Sequence, residues 1–260
     1  MQTTLLSYGM ISRDLSRSLS ATAAKPQVAR ESAYYLANIG NVKSIDDFLG
    51  NSRLFNFAMK AYGLEDMAYA KAFVRKVLAE GVDKADSFAN TLSDKRYRQL
   101  AADFNFARYG ETTTVFDRTR QGTVDKYVRQ TLEEDAGSEN QGVRLALYFQ
   151  RNAAGITDAY SILADPALLK VVQTALGIPA AASAIDIDRQ ARDIAARLDL
   201  DDLKDPEKLG KFLGRFANLW DLENPAVQPA PALVIGAPTS VVEIGADVLA
   251  TLQNLRLGGN

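Results

Sequence analysis

Clustered carboxylates are the groups of this 260-residue sequence whose types and spacing could carry out chemistry. The chain contains no histidine and no cysteine, so it lacks the commonest general base and metal ligand as well as any thiol nucleophile. The acidic clusters are Asp46-Asp47, Glu133-Glu134-Asp135, Asp186 with Asp188, and Asp199 with Asp201 and Asp202. Clusters of this kind can bind Mg²⁺ or take part in acid–base catalysis.

The cluster of Asp186 and Asp188 could hold Mg²⁺, and a carboxylate-based, Mg-dependent hydrolase is the function that would follow. Carboxylates near a helix N-terminus are also favoured by the helix dipole, and each acidic cluster falls at a predicted helix end or on a helix face of mixed charge. Neither Asp135 nor Asp199 opens a calcium loop, because the glycine required five positions later is absent. We therefore predict no catalytic residue, no bound metal and no cofactor.

Basic and aromatic side chains are interleaved over one stretch near the middle of the chain. They are Lys95, Arg96, Tyr97, Arg98, Phe104, Phe106, Arg108, Tyr109, Phe116, Arg118, Arg120 and Tyr127. Such a stretch can stack nucleic-acid bases, but acidic residues are interspersed and the net charge of the chain is -2, which gives no general attraction to a polyanion. We therefore expect no nucleic-acid partner and interpret Phe104 as a core residue. Arg118 and Arg120 are predicted to anchor an interface with a protein.

Helix-start signals recur along the chain and predict the elements that position these residues. Asp165-Pro166 and Asp205-Pro206 each place a capping carboxylate before a proline at the first helical position. Ser44 to Asp47 has the spacing of a capping box, and apolar residues at helical spacing predict a helix from Glu65 to Glu80. Because no comparable run alternates with the period of a β-strand, the sequence predicts an all-α fold.

A gapless comparison of residues 33–64 with residues 147–178 indicates two diverged copies of one multi-helix unit. Identical residues stand at Tyr34 and Tyr148, Asn38 and Asn152, Leu49 and Leu163, Leu54 and Leu168, Ala61 and Ala175, and Gly63 and Gly177. Most apolar positions of the first segment are apolar in the second, so the core pattern is shared. Each copy is predicted to contain a long helix, a short helix and a third helix that ends at a glycine with positive φ.

These patterns divide the chain into six predicted segments. They are an N-terminal amphipathic segment (1–24), helical unit 1 (25–106), a connector (107–122), helical unit 2 (123–222), a proline-rich linker (223–239) and a C-terminal amphipathic helix (240–260). The connector is expected to be an exposed loop between the units, because it carries glycine, three consecutive threonines and several arginines.

Apolar stripes in both terminal segments predict partner-binding surfaces. The N-terminal stripe comprises Ile11, Leu15 and Leu19, and the C-terminal stripe comprises Val241, Ile244, Val248, Leu252 and Leu255. Spacings of three and four place each stripe on one face of a helix, and an exposed stripe of this size usually has a partner. The two stripes can meet within one chain or between chains, and the second arrangement would produce a homo-oligomer.

Composition and hydropathy fit a folded, soluble protein. Apolar residues make up 47% and charged residues 24% of the chain, values close to the average for globular domains. No apolar run is long enough to cross a bilayer or to form the hydrophobic part of a secretory signal. We therefore expect neither membrane insertion nor a cleavable signal peptide.

A set of short motifs resembles an uncharacterised bacterial family. The motifs are Ala29 to Gly40, Ser44 to Leu49, Gly63 to Asp66, Ala70 to Phe73, Ser87 to Asn90 and Ser93 to Tyr97, with a second copy in Asn140 to Phe149 and Asp165 to Leu168. The family is a domain of unknown function, DUF1217, whose members are known chiefly from flagellar gene clusters of alphaproteobacteria and sometimes carry the domain more than once. The resemblance covers residues 16–221 and implies an all-α fold and a flagellar setting, with no catalytic residues assigned.

A flagellum-associated structural or assembly protein is the leading functional hypothesis. It would act without catalysis, through helix-mediated contacts with protein partners, and the resemblance suggests that these are flagellar components. The second hypothesis is a cytoplasmic flagellar chaperone or regulator that binds an export substrate in a groove between the two units. The hydrolase that the acidic clusters would allow is the third. The first two hypotheses differ in whether the protein remains in the cytoplasm or joins the flagellum.

Overall fold

Helices form all the regular secondary structure in residues 2–225, which are the part of the chain described by this computed structural model. The all-α prediction is therefore confirmed for these residues. The predicted C-terminal helix, with Val241, Ile244, Val248, Leu252 and Leu255, lies outside them, as does the linker beyond Pro225.

The α-helices are connected by short turns, several of which are single 3₁₀ turns. In the first part of the chain the helices are α1 (Thr4–Arg13), α2 (Leu15–Ala23), α3 (Pro26–Asn38), α4 (Ile45–Gly50), α5 (Ser52–Ala61), α6 (Lys71–Glu80), α7 (Phe88–Thr91), α8 (Lys95–Asp103) and α9 (Phe106–Tyr109). In the second part they are α10 (Gln121–Glu139), α11 (Gln141–Asn152), α12 (Ala159–Leu163), α13 (Pro166–Leu176), α14 (Ile187–Ala195) and α15 (Pro206–Glu223). The 3₁₀ turns are Ile39–Asn41, Glu65–Met67, Gly110–Val115, Asp117–Thr119, Ala153–Gly155, Ala180–Ala184 and Leu200–Lys204.

The predicted helix caps are confirmed. The Ser44 hydroxyl accepts the N–H of Asp47 at 3.0 Å at the start of α4. The carboxylates of Asp165 and Asp205 accept N–H groups in the first turns of α13 and α15, each followed by proline at the first helical position. Cap chemistry depends only on neighbouring residues, which explains why the sequence located these helix starts.

Two predicted helices are interrupted. The helix expected from Glu65 to Glu80 is a 3₁₀ turn, Glu65–Met67, followed by α6 from Lys71. In the N-terminal segment, Asp14 leaves helical geometry (φ -137°, ψ 72°) and accepts the N–H of Arg17, so it caps α2 and separates it from α1. The N-terminal segment is thus two short helices that can lie on different parts of the body.

The first hydrophobic cluster contains residues from α3 to the N-terminal half of α10 and is rich in stacked aromatic rings. The ring of Phe57 lies between those of Tyr35 and Tyr127, with centroid distances of 4.4 and 4.0 Å. Phe48 stacks on Phe104 at 4.8 Å, and both side chains are fully buried. Aromatic pairs of this kind contribute about 0.5–1.5 kcal/mol each beyond burial. The interpretation of Phe104 as a core residue is confirmed.

The second hydrophobic cluster is formed by Tyr8 of α1 and by residues from α11 to α15. Phe149 of α11 and Phe216 of α15 are fully buried within it. Gly142 allows α11 to pack closely against α15, because a Cβ atom at this position would overlap Cδ1 of Trp220 on α15. Helix α10 joins the two clusters: its N-terminal half contributes Val124 to the first, and Ala136 near its other end packs against the second.

The prediction that residues 107–122 form an exposed loop is wrong about the loop, although nine of the sixteen residues are exposed. Most of the segment is helical turn, and Thr113, Thr114 and Thr119 are fully buried. Their hydroxyls donate to backbone carbonyls, including Val42 at 2.9 Å for Thr114 and Thr113 at 3.0 Å for Thr119. Buried hydroxyls are tolerated when they are hydrogen-bonded, so this threonine-rich segment packs against the first cluster.

The two segments proposed as copies have the same order of elements. In each, a helix is followed by a 3₁₀ turn, a short capped helix and a longer capped helix: α3 to α5 in the first and α11 to α13 in the second. Gly63 and Gly177 follow the third helices with φ of 68° and 65°, and Asn38 and Asn152 each donate to the carbonyl of a tyrosine at 2.8 Å. These features support the duplication, which stays a prediction that superposition of the two segments in an experimental structure would test.

Candidate functional site

A cleft with a volume of about 690 Å³ lies between the two hydrophobic clusters. The end of α5 and the start of α8 line one side, and α11 with the start of α13 lines the other. Helix α10 contributes Gln130 and Glu133. The volume falls in the range of ligand sites in proteins.

The floor of the cleft includes Glu133 and Arg151, which form an ion-paired triad with Arg129, and the Glu133 side chain is 1% exposed. The carboxylate accepts Nε–H of Arg129 at 2.8 Å with one oxygen and Nη2–H of Arg151 at 2.9 Å with the other. Arg129 also donates to the carbonyl of Leu147 at 2.9 Å. Two guanidinium groups therefore share one carboxylate, so the triad has a net positive charge, and of its members Glu133 and Arg151 line the cleft.

The walls of the cleft add further cations. Arg96 donates to both carboxylate oxygens of Asp94 and to the carbonyl of Gly63, and the hydrogen bonds with Asp94 raise the pKa of the Arg96 guanidinium above its usual value. Lys95 and Arg144 make no salt bridge within residues 2–225. The stem of Arg144 packs over Gly137 of α10, where a Cβ atom would lie 2.7 Å from Cδ of the arginine.

The third carboxylate of the cleft, Asp165, is fixed as a helix cap. One of its oxygens accepts the N–H groups of Ala167 and Leu168, and the other accepts the hydroxyl of Tyr148 at 2.6 Å. Burial, followed by the hydrogen bond to Asp165, raises the pKa of Tyr148 well above its usual value. Tyr148 therefore stays protonated and donates at neutral pH. Each carboxylate that lines the cleft is held by a neighbouring group.

The N-terminal helix α1 forms a second surface of interest because it has apolar side chains on two opposite faces. Its inner face is fixed by the N–H of Thr4, which donates to Asp221 of α15 at 2.9 Å, and by the burial of Tyr8. Its outer face presents Leu6 and Met10, which are 54% and 61% exposed. We call Leu6 and Met10 the α1 outer face.

The predicted N-terminal stripe is only half-buried and is divided between the clusters. Ile11 packs against the second cluster and Leu19 against the first, while Leu15 is half-buried at the start of α2. These contacts lie within the chain, because the break at Asp14 turns the two helices onto different clusters. The apolar side chains of α1 that face outward are instead Leu6 and Met10, which the predicted stripe did not include.

The two arginines predicted as interface anchors have different surroundings. Arg118 is half-buried, donates to the carbonyl of Asp103 at 3.1 Å, and places its guanidinium carbon 4.3 Å from the ring centre of Phe116. Arg118 therefore makes contacts within the chain, and its role as an interface anchor stays a prediction. Arg120 is exposed immediately before α10.

The acidic clusters serve mainly as helix caps and partners of basic residues. Asp186 accepts the N–H groups of Asp188 and Arg189 at the start of α14, and Asp188 accepts the hydroxyl of Tyr160 at 2.8 Å. Asp199 caps the turn Leu200–Lys204. Within residues 2–225 no three acidic side chains are grouped closely enough to hold a metal ion. Nor do these residues include a helix with the length and hydropathy needed to span a bilayer.

The sequence did not single out Arg129, Arg144 or Arg151 as site residues. The signal available was the match between residues 33–64 and 147–178, in which Arg151 stands opposite the apolar residue Ala37. A charge at a position that is apolar in the other copy marks a place where the two units differ in surroundings.

Comparison with known proteins gives a family and one solved structure. A family model described as "Protein of unknown function (DUF1217)" matches residues 61–209. The crystal structure of Protein AGR_C_984 from Agrobacterium tumefaciens, a structural-genomics target, is similar to this chain with 49% sequence identity and a TM-score of 0.80. The match covers 85% of this chain and 94% of that one. A comparison with curated proteins gave no match.

Proposed function

This chain belongs to the DUF1217 family, and from that premise we propose that it is a non-enzymatic, flagellum-associated structural or assembly protein that acts through helix-mediated protein–protein contacts. The flagellar setting follows from the resemblance of its motifs to a family known from flagellar gene clusters. The proposal of a non-catalytic role is supported by the carboxylates, which cap helices or pair with basic groups at Asp165, Asp186 and Glu133.

The observation that carries the proposal is the two-sided apolar character of α1. A surface helix of a globular protein normally has one apolar stripe, which faces the core. Helix α1 fills that role with Tyr8 and Ile11, yet it also exposes Leu6 and Met10 on its other side. The end of α15, beside the start of α1, adds Leu222, which is 78% exposed. An apolar helix surface of this kind suits contact with a helix of another protein.

A charge-insertion experiment tests the role of the α1 outer face. In a motile strain, the Leu6→Glu/Met10→Glu variant is expected to reduce motility or flagellar assembly, because two carboxylates would be buried in the contact. The matched control is Val115→Glu/Ile187→Glu, since these side chains are 62% and 54% exposed on other elements. Normal motility of the α1 variant at normal protein level would contradict the proposal.

The second candidate, a cytoplasmic chaperone or regulator, is favoured by the cleft. A groove between two helical units is the feature that this hypothesis requires, and the cleft of about 690 Å³ lies between the two clusters. Export separates the two candidates. A structural component should appear outside the cytoplasm in an export-competent strain and remain inside an export-deficient one, whereas a chaperone should remain inside both.

A further inference from the structure

The charge and lining of the cleft identify a class of ligand. We propose that the cleft binds an acidic segment of a partner polypeptide, through Lys95 and Arg144 at its walls and Arg151 at its floor. The inference rests on the proposed function in one respect only, namely that the chain has a protein partner. It does not depend on the α1 outer face.

Four basic and three acidic side chains line the cleft, so its lining has a net charge of +1. Its carboxylates already have partners: Asp94 pairs with Arg96, Glu133 is shared by two arginines, and Asp165 caps α13. Lys95 and Arg144, in contrast, lie at the walls without an ion pair in residues 2–225. An incoming carboxylate can therefore pair with these cations without displacing an existing partner.

Two of the three cations, Arg144 and Arg151, are restricted by neighbouring groups before any ligand arrives. Glu133 fixes the Arg151 guanidinium, leaving the buried Nε of Arg151 without a hydrogen-bond acceptor in the described residues. Gly137 leaves room for the stem of Arg144. Groups that are already ordered lose less conformational entropy on binding, which favours affinity.

The remaining lining suits a peptide better than a small inorganic anion. Gln99, Gln141 and Asn152 offer amide groups that can donate to and accept from a peptide backbone. Leu145 and Ile156 contribute apolar surface between the polar groups. A mixture of cations, amides and apolar groups can bind the carboxylates, the backbone and the apolar side chains of one polypeptide segment.

Binding of a model peptide to the full-length protein tests this assignment. The probe is a fluorescently labelled peptide that alternates glutamate with leucine, and the reference is the same peptide with glutamine in place of glutamate. Fluorescence anisotropy is expected to show about tenfold tighter binding of the acidic peptide at low salt, with the difference decreasing as ionic strength rises.

Variants locate the binding site. Lys95→Gln/Arg144→Gln is expected to weaken binding of the acidic peptide by about tenfold, because two charges that face the ligand are lost. The matched control, Lys84→Gln/Arg197→Gln, removes one lysine and one arginine that are exposed elsewhere, and should bind within about twofold of the unmodified protein. Arg144→Lys retains the charge and should preserve most of the affinity.

Three outcomes would overturn the assignment. These are equal binding of the glutamate and glutamine peptides, equal affinity of the cleft and control variants, and displacement of the peptide by free glutarate at the same carboxylate concentration. The last would show a small-anion site in place of a peptide site. The Leu6→Glu/Met10→Glu variant should bind the peptide normally, so failure of the cleft assignment and failure of the α1 contact give different results.

Discussion

Replacing Glu133 by glutamine tests whether the charge triad stabilises the packing of α10 against α11. The glutamine side chain would keep nearly the same shape but lose the charge that Arg129 and Arg151 share at 2.8 and 2.9 Å. Removing one partner of a buried ion pair costs about 3–5 kcal/mol, because the remaining charge stays buried without compensation. Arg129 is 10% exposed and Arg151 is 27% exposed, so water partly screens the second guanidinium. We therefore expect a loss of about 3 kcal/mol.

Thermal unfolding followed by circular dichroism measures this loss. For chains of this size, about 3 kcal/mol corresponds to a decrease in melting temperature of about 6–12 °C. The control is Glu207→Gln, which disrupts an ion pair of the same i,i+4 spacing with Lys211 on the surface of α15. The side chains of Glu207 and Lys211 are 80% and 74% exposed, so the free energy of unfolding should change by no more than about 0.5 kcal/mol.

A triple replacement separates charge from packing in the same triad. Arg129→Met/Glu133→Leu/Arg151→Met removes all three charges and should recover much of the stability lost in Glu133→Gln, because apolar side chains of similar volume can replace buried ions at little cost. If Glu133→Gln melts within about 1 °C of the unmodified protein, the triad does not stabilise the fold and this reasoning is wrong.

Three further predictions concern packing, acid stability and metal ions. Gly142→Ala should destabilise the protein by about 1–3 kcal/mol in denaturant unfolding, because its Cβ would clash with Trp220, whereas Gly210→Ala on α15 meets no atom within 4 Å and should be neutral or stabilising. Hydrogen bonds from Arg53 and from the N–H of Ser161 lower the pKa of Glu31 and of Asp158, respectively. The stability that these carboxylates contribute is present above their unfolded pKa of about 4 and should be lost as the pH falls below it. The melting temperature should therefore drop in that pH range, and it should drop less in the Glu31→Gln/Asp158→Asn variant. Mg²⁺, Ca²⁺ and chelators should leave the melting temperature unchanged, because Asp186 is a helix cap; a clear rise with either ion would count against this interpretation.

Local signals in the sequence were sufficient to predict much of the fold. The caps at Ser44, Asp165 and Asp205 are confirmed because each depends on residues within one helical turn. The break at Asp14 was missed although Asp14 is itself a cap residue, since the apolar spacing runs through it without interruption. A capping side chain inside a periodic stretch is a signal that the helix can end there.

Features that depend on distant parts of the chain were not predictable in the same way. Thr114 looked like a loop residue, but its hydroxyl donates to Val42 in another part of the first cluster. The cleft is lined by Lys95 of α8 and by Arg144 and Arg151 of α11. The spacing of seven residues places the two arginines on one face of α11, but nothing in the sequence indicates that Lys95 lines the same cleft. Packing against distant residues decided these positions, and local composition carries no information about it.

Photo-crosslinking at position 10 in cells tests most directly whether the α1 outer face contacts a flagellar protein. A photoreactive amino acid in place of Met10 should yield a crosslinked product with a flagellar component, identified by mass spectrometry, in a strain that assembles flagella. The same group in place of Val115, which is exposed to a similar extent, should not yield that product. Equal crosslinking at both positions, or none at position 10 in a motile strain, would contradict the proposed role of α1.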